Sequence, residues 1–543
     1  RFVIIKLNFK ESPWHFYNRK DYVMFQERKA IIDIGSNTIR LVIYGIDDWY
    51  NFEELQNVKV PSQLSQYLIE KDDKKYMSDT GIQRLITALD DFATIIKNFK
   101  VDEIKALATA AVRQSANQEE IIDRVKEKTG ITIGVISEEE EARFGQYAVM
   151  HAITIPNALT IDIGGGSCEV TKYQDKAMDT FHSFPFGVVY IRERFFKNKD
   201  HNDEDAIEAA RDYIRSQFKQ ESWLKKAKLP LIGIGGSVRN VAEMHQRMHN
   251  YPIAGLHGYQ MTLDDLEETL DMVLDTKPKD LDDIEGLSTE RTDLIVPALI
   301  AFIELFKLSK AKNFTVSTQG LREGIILEDI NKNYNTPIDT QLIRLRSTRK
   351  IAHDLPFNAA GTQQHVDLCL SLYQQMCDLD QFTFDDEERE MIEFAAYLYR
   401  FASFVSREAD SQHTFYLLSN TNLLGFSHLD RVRLALLSSY KNRSLFQLYM
   451  TNFKDWFSEE EEDHLMKVGG MIRFAQALNY SKTDPVKKLR LERDEDDNYL
   501  LKIYHTEPII TEKYRANRHK KHLSRALDGS LSLEFIPLDS LDE

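Results

Sequence analysis

Residues 30–44, AIIDIGSNTIRLVIY, carry two apolar, β-branched runs held apart by the polar tip Gly35-Ser36-Asn37. This pattern predicts strand, turn, strand, with Asp33 close to the end of the first strand. In MSDTGIQRLITALDDFATIIKNF (77–99), Ile82, Leu85, Ile86, Leu89 and Phe92 recur at helical spacing, which predicts an amphipathic helix. The alternation continues with a strand in VDEIKALATAAVR, a capped helix in ANQEEIIDRVKEKTG ending at Gly130, a strand in ITIGVIS and a helix in EEEEARFGQYAVMHA. Residues 159–171, LTIDIGGGSCEVT, then repeat the opening arrangement of apolar strand, Asp, glycine-rich turn and second strand. A third glycine turn lies in KLPLIGIGGSVRNVAEM (228–244).

Two halves that each begin with such a hairpin predict a duplicated α/β domain pair with a cleft between them. Beyond about residue 340 the strands vanish, and helical patterns such as DDEEREMIEFAAYLYRFASFV dominate. The boundary is expected in TPIDTQLIRLRSTRKIAHD (336–354), and the alternating runs NYLLKIYHT and LSLEFIPL predict a small closing sheet. The expected domains are 24–144, 145–340, 345–484 and 485–543, and residues 1–23, ahead of Met24, read as an extension.

Length and charge narrow the picture. At 543 residues the chain is too long for one core. Its net charge of −17 argues against a general nucleic-acid binder, although it leaves room for a local basic groove. The three cysteines, Cys168, Cys369 and Cys377, have neither zinc spacing nor a disulfide framework, which fits a reducing cytoplasm. No apolar stretch reaches the roughly 18–20 residues that cross a bilayer.

The glycine turns carry the candidate chemistry. Gly164, Gly165 and Gly166 let backbone N–H groups approach a phosphate closely. Ser36, Asn37 and Ser167 add side-chain donors at the two tips, and Gly235-Gly236-Ser237 forms the third turn. Asp33 and Asp162 occupy matching positions where a carboxylate can hold Mg²⁺ directly or through water. Each turn alone reads as an ordinary bend; their recurrence points to a phosphate-gripping cleft.

The motifs DIGSNTIR, ATAAVR, VISEEEEAR, IDIGGGSCEV, GIGGSVRN, GLHGY, ERTDLIVPALI and STQGLREG occur in this order over residues 30–330. In this the chain resembles the exopolyphosphatase/guanosine pentaphosphate phosphatase family, which has the actin/hexokinase/Hsp70-like, ribonuclease H-like fold. The resemblance implies that Glu141, just ahead of Ala-Arg, is the general base for the attacking water; a helix N-terminus that simply favours acids is the structural alternative. It implies that Asp162 and Glu169 are metal and water ligands and that Arg113 holds a substrate phosphate. Arg291 is expected as a second phosphate contact or a structural ion pair. Three departures stand out: Glu138 after Ser137 in place of Gly, Cys168 in place of Thr, and Ala298 in place of Gly.

The helical half resembles the family's HD-like domain, with Tyr399-Arg400 where the metal-binding His-Asp pair would stand. Groups of that kind cannot hold the same ion, and His413 reads as a structural histidine. Basic clusters at 344–350 and 513–525 offer either a guide for a polyanion or solvated helix faces. The resemblance also implies a homodimer. The leading expectation is an Mg²⁺-dependent exopolyphosphatase. Guanosine pentaphosphate hydrolysis, an ATP-dependent kinase or ATPase of the same fold, and a non-enzymatic polyphosphate or alarmone sensor are the alternatives.

Overall fold

The computed structural model describes residues 25–48, 50–175, 177–334, 342–355, 360–496, 498–506 and 508–538. The extension expected over 1–23 and the first part of the expected boundary segment, 335–341, lie outside the described residues. The chain forms two compact units, one ending at Ile136 and the other starting at Ser137.

In the first unit β1 (Glu27–Ile34), β2 (Thr38–Ile46) and β3 (Phe52–Pro61) make an antiparallel meander. A small hairpin follows, β4 (Leu68–Lys71) with β5 (Lys74–Met77), before the long helix α1 (Asp79–Phe99). Helix α1 starts where the Ser78 hydroxyl accepts from Gly81 N–H, and it buries Ile82, Leu85, Leu89 and Phe92 along one stripe. Strand β6 (Glu103–Ala108) pairs parallel with β1, and after α2 (Ala110–Arg113) and α3 (Gln118–Thr129), β7 (Ile133–Val135) pairs parallel with β6. The sheet order is β3-β2-β1-β6-β7.

The second unit opens with α4 (Glu138–Met150) and repeats the plan. Strands β8 (Ala158–Ile163), β9 (Cys168–Gln174) and β10 (Ala177–Phe184) form the meander. Helices α5 (Val188–Phe195) and α6 (Glu204–Phe218) lead to β11 (Leu231–Ile234), which lies parallel to β8. Next come α7 (Gly236–Met248), β12 (Gln260–Met261), α8 (Leu263–Asp275), α9 (Ile295–Ser309), β13 (Phe314–Val316) and α10 (Leu321–Tyr334). The order β10-β9-β8-β11-β13-β12 repeats that of the first sheet, with β12 added antiparallel at the edge. Helix α9 is apolar on nearly all sides and almost wholly buried, the expected state of a helix without a polar face.

Helix α4 lies in the second unit, ahead of the limit at residue 144 expected from sequence. Close packing explains this. A Cβ on Gly324 of α10 would stand 2.0 Å from Phe144 O, so only glycine lets α10 approach α4.

The rest of the second unit is helical, from Ile343–Asp354 to Ile510–Ala526, with a three-stranded sheet formed by Val486–Arg493, Tyr499–His505 and Leu531–Pro537. The helical part docks on the preceding lobe through polar links: Gly425 N–H donates to Ala152 O (2.7 Å) and Ala254 N–H to Asn420 Oδ1 (2.7 Å). Arg400 pairs with Asp410, and Tyr399 donates to Tyr440 O, so the two residues standing in place of a metal-binding pair are engaged in the fold. Arg344 pairs with Glu390 and Asp430, which turns part of the first basic cluster inward. In the second cluster Lys513, Arg518, Lys520, Lys521 and Arg525 remain exposed while Ala516, Leu523 and Ala526 are buried. No helix among the described residues is long and apolar enough to cross a membrane.

Candidate active site

The two hairpin tips close in the same way. Gly35 N–H donates to Thr38 O (3.0 Å) in the first unit, and Gly164 N–H donates to Ser167 O (2.9 Å) in the second. Gly164 therefore spends its N–H on closing the turn, which corrects its expected part as a phosphate donor. In the first unit Ser62 and Gln63 N–H donate to Asn37 O, and Ser65 N–H donates to Ser36 O, so the tip is braced by the segment after β3. Asp33 lies opposite Arg40 on β2 and beside Leu107 on β6. Arg113, at the end of α2, donates from Nη1 to Ile136 O at 3.1 Å.

In the second unit Asp162 and Glu169 are direct cross-strand partners, so their side chains leave the same face of the hairpin. Ser183 extends that row onto β10, where its hydroxyl donates to Glu169 Oε1 at 2.8 Å. Cys168, one residue away, alternates to the opposite face and is fully buried in the apolar core with Ile163 and Phe184. The sulfur of Cys168 faces the core, and burial pushes its thiol well above the usual range.

Glu169 is the electrostatic centre of this unit. Burial pushes its carboxyl well above the usual range, the nearby charges of Glu141 and Asp162 push it further, and hydrogen bonds from Ser167 and Ser183 oppose the shift. Such a group gains most from a cation or a positively charged neighbour.

The four consecutive glutamates separate by role. Ser137 caps α4: its hydroxyl accepts from Glu140 N–H (3.1 Å), and Glu140 returns a carboxylate to Ser137 N–H (2.9 Å). Glu140 is thereby committed to the helix end, and Glu138 and Glu139 are exposed. Glu141 is half-buried, with its carboxylate in the field of Glu169.

The third glycine turn meets the same carboxylates. Gly235 has φ of +95°, and a Cβ there would stand 2.8 Å from Asp162 Oδ1. A Cβ on Gly236 would stand 2.2 Å from Arg291 Nη2, and Arg291 Nη1 donates to Ser237 Oγ at 2.9 Å. The structure therefore brings Asp162, Gly235, Gly236, Ser237 and Arg291 together.

Four residues join the site that the sequence reading did not assign. Arg239 is half-buried; desolvation lowers its pKa, and Arg322 and Arg291 lower it further, while Glu323 and Asp162 act in the opposite sense. Three guanidinium groups thus share one field beside Asp162. Both Arg239 and Arg322 lie inside quoted motifs, GIGGSVRN and STQGLREG, so the signal was present but unassigned. Gly187 is the third: Val188 and Val189 N–H donate to Gly164 O and Gly165 O, and a Cβ on Gly187 would stand 2.4 Å from Gly164 O. Ser183 is the fourth, invisible without knowing the β9–β10 register.

Glu141, Asp162 and Glu169 are not drawn into a closed cage. Among the described residues, His245, His249 and Glu268 alone bring three such ligand atoms within 4.8 Å of one another. An open carboxylate row suits Mg²⁺, which keeps much of its water and takes one or two carboxylates from the protein.

Two duplicated actin-like lobes followed by a helical domain define the class of this protein. The chain belongs to the Ppx/GppA phosphatase family: that family's model matches residues 42–333, and the model for its domain III matches residues 343–513. An exopolyphosphatase from Cytophaga hutchinsonii superimposes with a TM-score of 0.50 at 26% identity, over 56% of this chain and 98% of that one. The Aquifex aeolicus family member gives a TM-score of 0.49 at 26% identity, over 56% of this chain and 99% of that one. In sequence, the bifunctional 3-dehydroquinate synthase/phosphatase of Fusobacterium nucleatum is 27% identical over 318 residues, 56% of this chain and 46% of that protein. The chain thus matches just under half the length of that curated relative.

Proposed function

We propose that this phosphatase-family protein is an exopolyphosphatase, releasing orthophosphate from the end of inorganic polyphosphate by attack of water on the terminal phosphorus. The observation that carries the reading is the face shared by Asp162 and Glu169, with Glu141 in its field, Gly235 against Asp162, and Arg291 against Gly236 and Ser237. Glu141 orients the attacking water and accepts its proton. The N–H groups of Gly165 and Gly166 bind phosphoryl oxygens, with Arg291, Arg239 and Arg322 neutralising their charge.

Asp162 and Glu169 are the residues that would hold Mg²⁺. The fit rests on Glu169, a buried carboxylate crowded by two others, whose charged form needs a nearby cation. Bound there, Mg²⁺ offsets charge on the phosphoryl oxygens. The exposed cations of the 513–525 helix favour a long polyanion over a nucleotide.

Phosphate release from long-chain polyphosphate and from guanosine pentaphosphate, each with Mg²⁺, tests the reading. Faster turnover of polyphosphate is expected. Preference for the guanosine nucleotide would replace the substrate and keep the chemistry. Binding of either without turnover would leave a sensor.

A further inference from the structure

A second cluster of ligating side chains stands apart from the carboxylate row, where helices α7 and α8 face each other. His245 and His249 are one turn apart at the C-terminal end of α7, and Asp265 and Glu268 are one turn apart near the start of α8. His249 Nε2 lies 3.1 Å from Glu268 Oε2, and His245 Nε2 lies 3.7 Å from the same oxygen. On its other side His245 Nε2 faces Asp265 Oδ1 at 3.6 Å. His245 is 94% buried by its 6% exposure, yet its Nε2 has no hydrogen-bond partner within 3.5 Å. A buried ring nitrogen left in this state costs stability unless something else satisfies it.

We propose that His245 Nε2, His249 Nε2 and Glu268 Oε2 bind a divalent transition-metal ion of the Zn²⁺ class, which bridges α7 and α8. Bonds of about 2.0–2.2 Å in a tetrahedron separate neighbouring ligands by roughly 3.3–3.5 Å, and the two measured separations fall on either side of this. Two imidazoles select a borderline ion such as Zn²⁺ over Mg²⁺, which prefers oxygen. The other ring nitrogen of His245, Nδ1, lies 2.7 Å from the Tyr259 hydroxyl. By donating there it fixes the tautomer that presents Nε2 as a lone pair. The side chains of His249 and Glu268 are 47% and 50% exposed, so an ion can enter from solvent. The fourth position is left to water, beside a cavity of about 530 Å³ that His245 and Asp265 help to line. Helix α7 begins at the third glycine turn, so the ion would fix the far end of the helix that carries that turn.

Titration of the full chain with Co²⁺ in excess Mg²⁺, followed by visible ligand-field absorption and by displacement with Zn²⁺, tests this. The excess Mg²⁺ occupies oxygen-rich sites. One equivalent of Co²⁺ is expected to give the intense bands of a four-coordinate ion, abolished by one equivalent of Zn²⁺. His249→Ala and Glu268→Ala change exposed side chains and should keep the fold. Each is expected to weaken binding by at least about tenfold, the loss attached even to an outer-shell partner. Absence of the bands in the parent, or bands of equal affinity in both variants, would overturn the proposal.

Discussion

At the scale of single residues, the site is built by alternation. Asp162 and Glu169 face each other across a hairpin, while Cys168, between Glu169 and the glycine turn, goes into the core. The carboxylates were legible in the sequence because Asp and Glu bracket a glycine run. The role of Cys168 was not, because motif position says nothing about which face a strand residue takes. Cys168→Ser is expected to destabilise the protein by about 1–3 kcal/mol, the cost of an unsatisfied buried hydroxyl, with turnover per folded molecule unchanged. Urea denaturation beside phosphate release checks this, and loss of turnover with full stability would place the sulfur in the site. Arg291 is expected to act on substrate. Removing a charged hydrogen bond of about 2 kcal/mol in Arg291→Ala lowers kcat/KM roughly thirtyfold. Arg239 and Arg322 went unassigned because one sequence cannot say which arginines of a motif turn inward.

At the scale of elements, close approaches decide what the glycines do. Gly187 was overlooked because a lone glycine before a helix looks like an ordinary cap, yet it lets α5 hold the carbonyls of the Gly164–Gly165 turn. Gly187→Ala drives a Cβ into that turn, with an expected loss of at least about 1–3 kcal/mol in stability and a fall in phosphate affinity. A variant that binds and unfolds like the parent would show the contact to be unimportant. Helix α4 and its acidic start were readable from the glutamate run. The division of labour within that run was not read, although Ser137 with Glu140 three residues on has capping-box spacing.

At the scale of the whole molecule, the duplicated lobes were legible because each opens with the same hairpin and continues with parallel strands. Docking of the helical part on the preceding lobe was not, because it rests on links between distant residues. Tyr251 O–H donates to His428 Nδ1 (2.8 Å), His428 Nε2–H to His257 O (3.2 Å), and His257 Nε2–H to Ala152 O (3.1 Å). Burial brings His257 down to about 4 and His428 to about 2, so both are neutral in the folded chain at neutral pH. Histidine in the unfolded chain titrates near 6.5, so the unfolded state takes up more protons as pH falls below that value. The stabilisation is complete above about 6.5 and declines down to the folded pKa values. Between pH 7 and pH 5 each histidine is expected to withdraw about 2 kcal/mol, and His428→Gln should flatten the profile. Urea midpoints across that range measure it, and a parent profile as flat as the variant's would contradict it. Glu141 carries the proposed chemistry as its base. Its most direct test is phosphate release from polyphosphate at saturating Mg²⁺ by Glu141→Gln and Glu140→Gln, each checked for folding. Glu141→Gln is expected to lose about 10²–10⁴-fold in kcat, while Glu140→Gln, which keeps an amide oxygen for the helix cap, turns over like the parent. Equal losses in both variants, or a loss confined to Glu140→Gln, would contradict it.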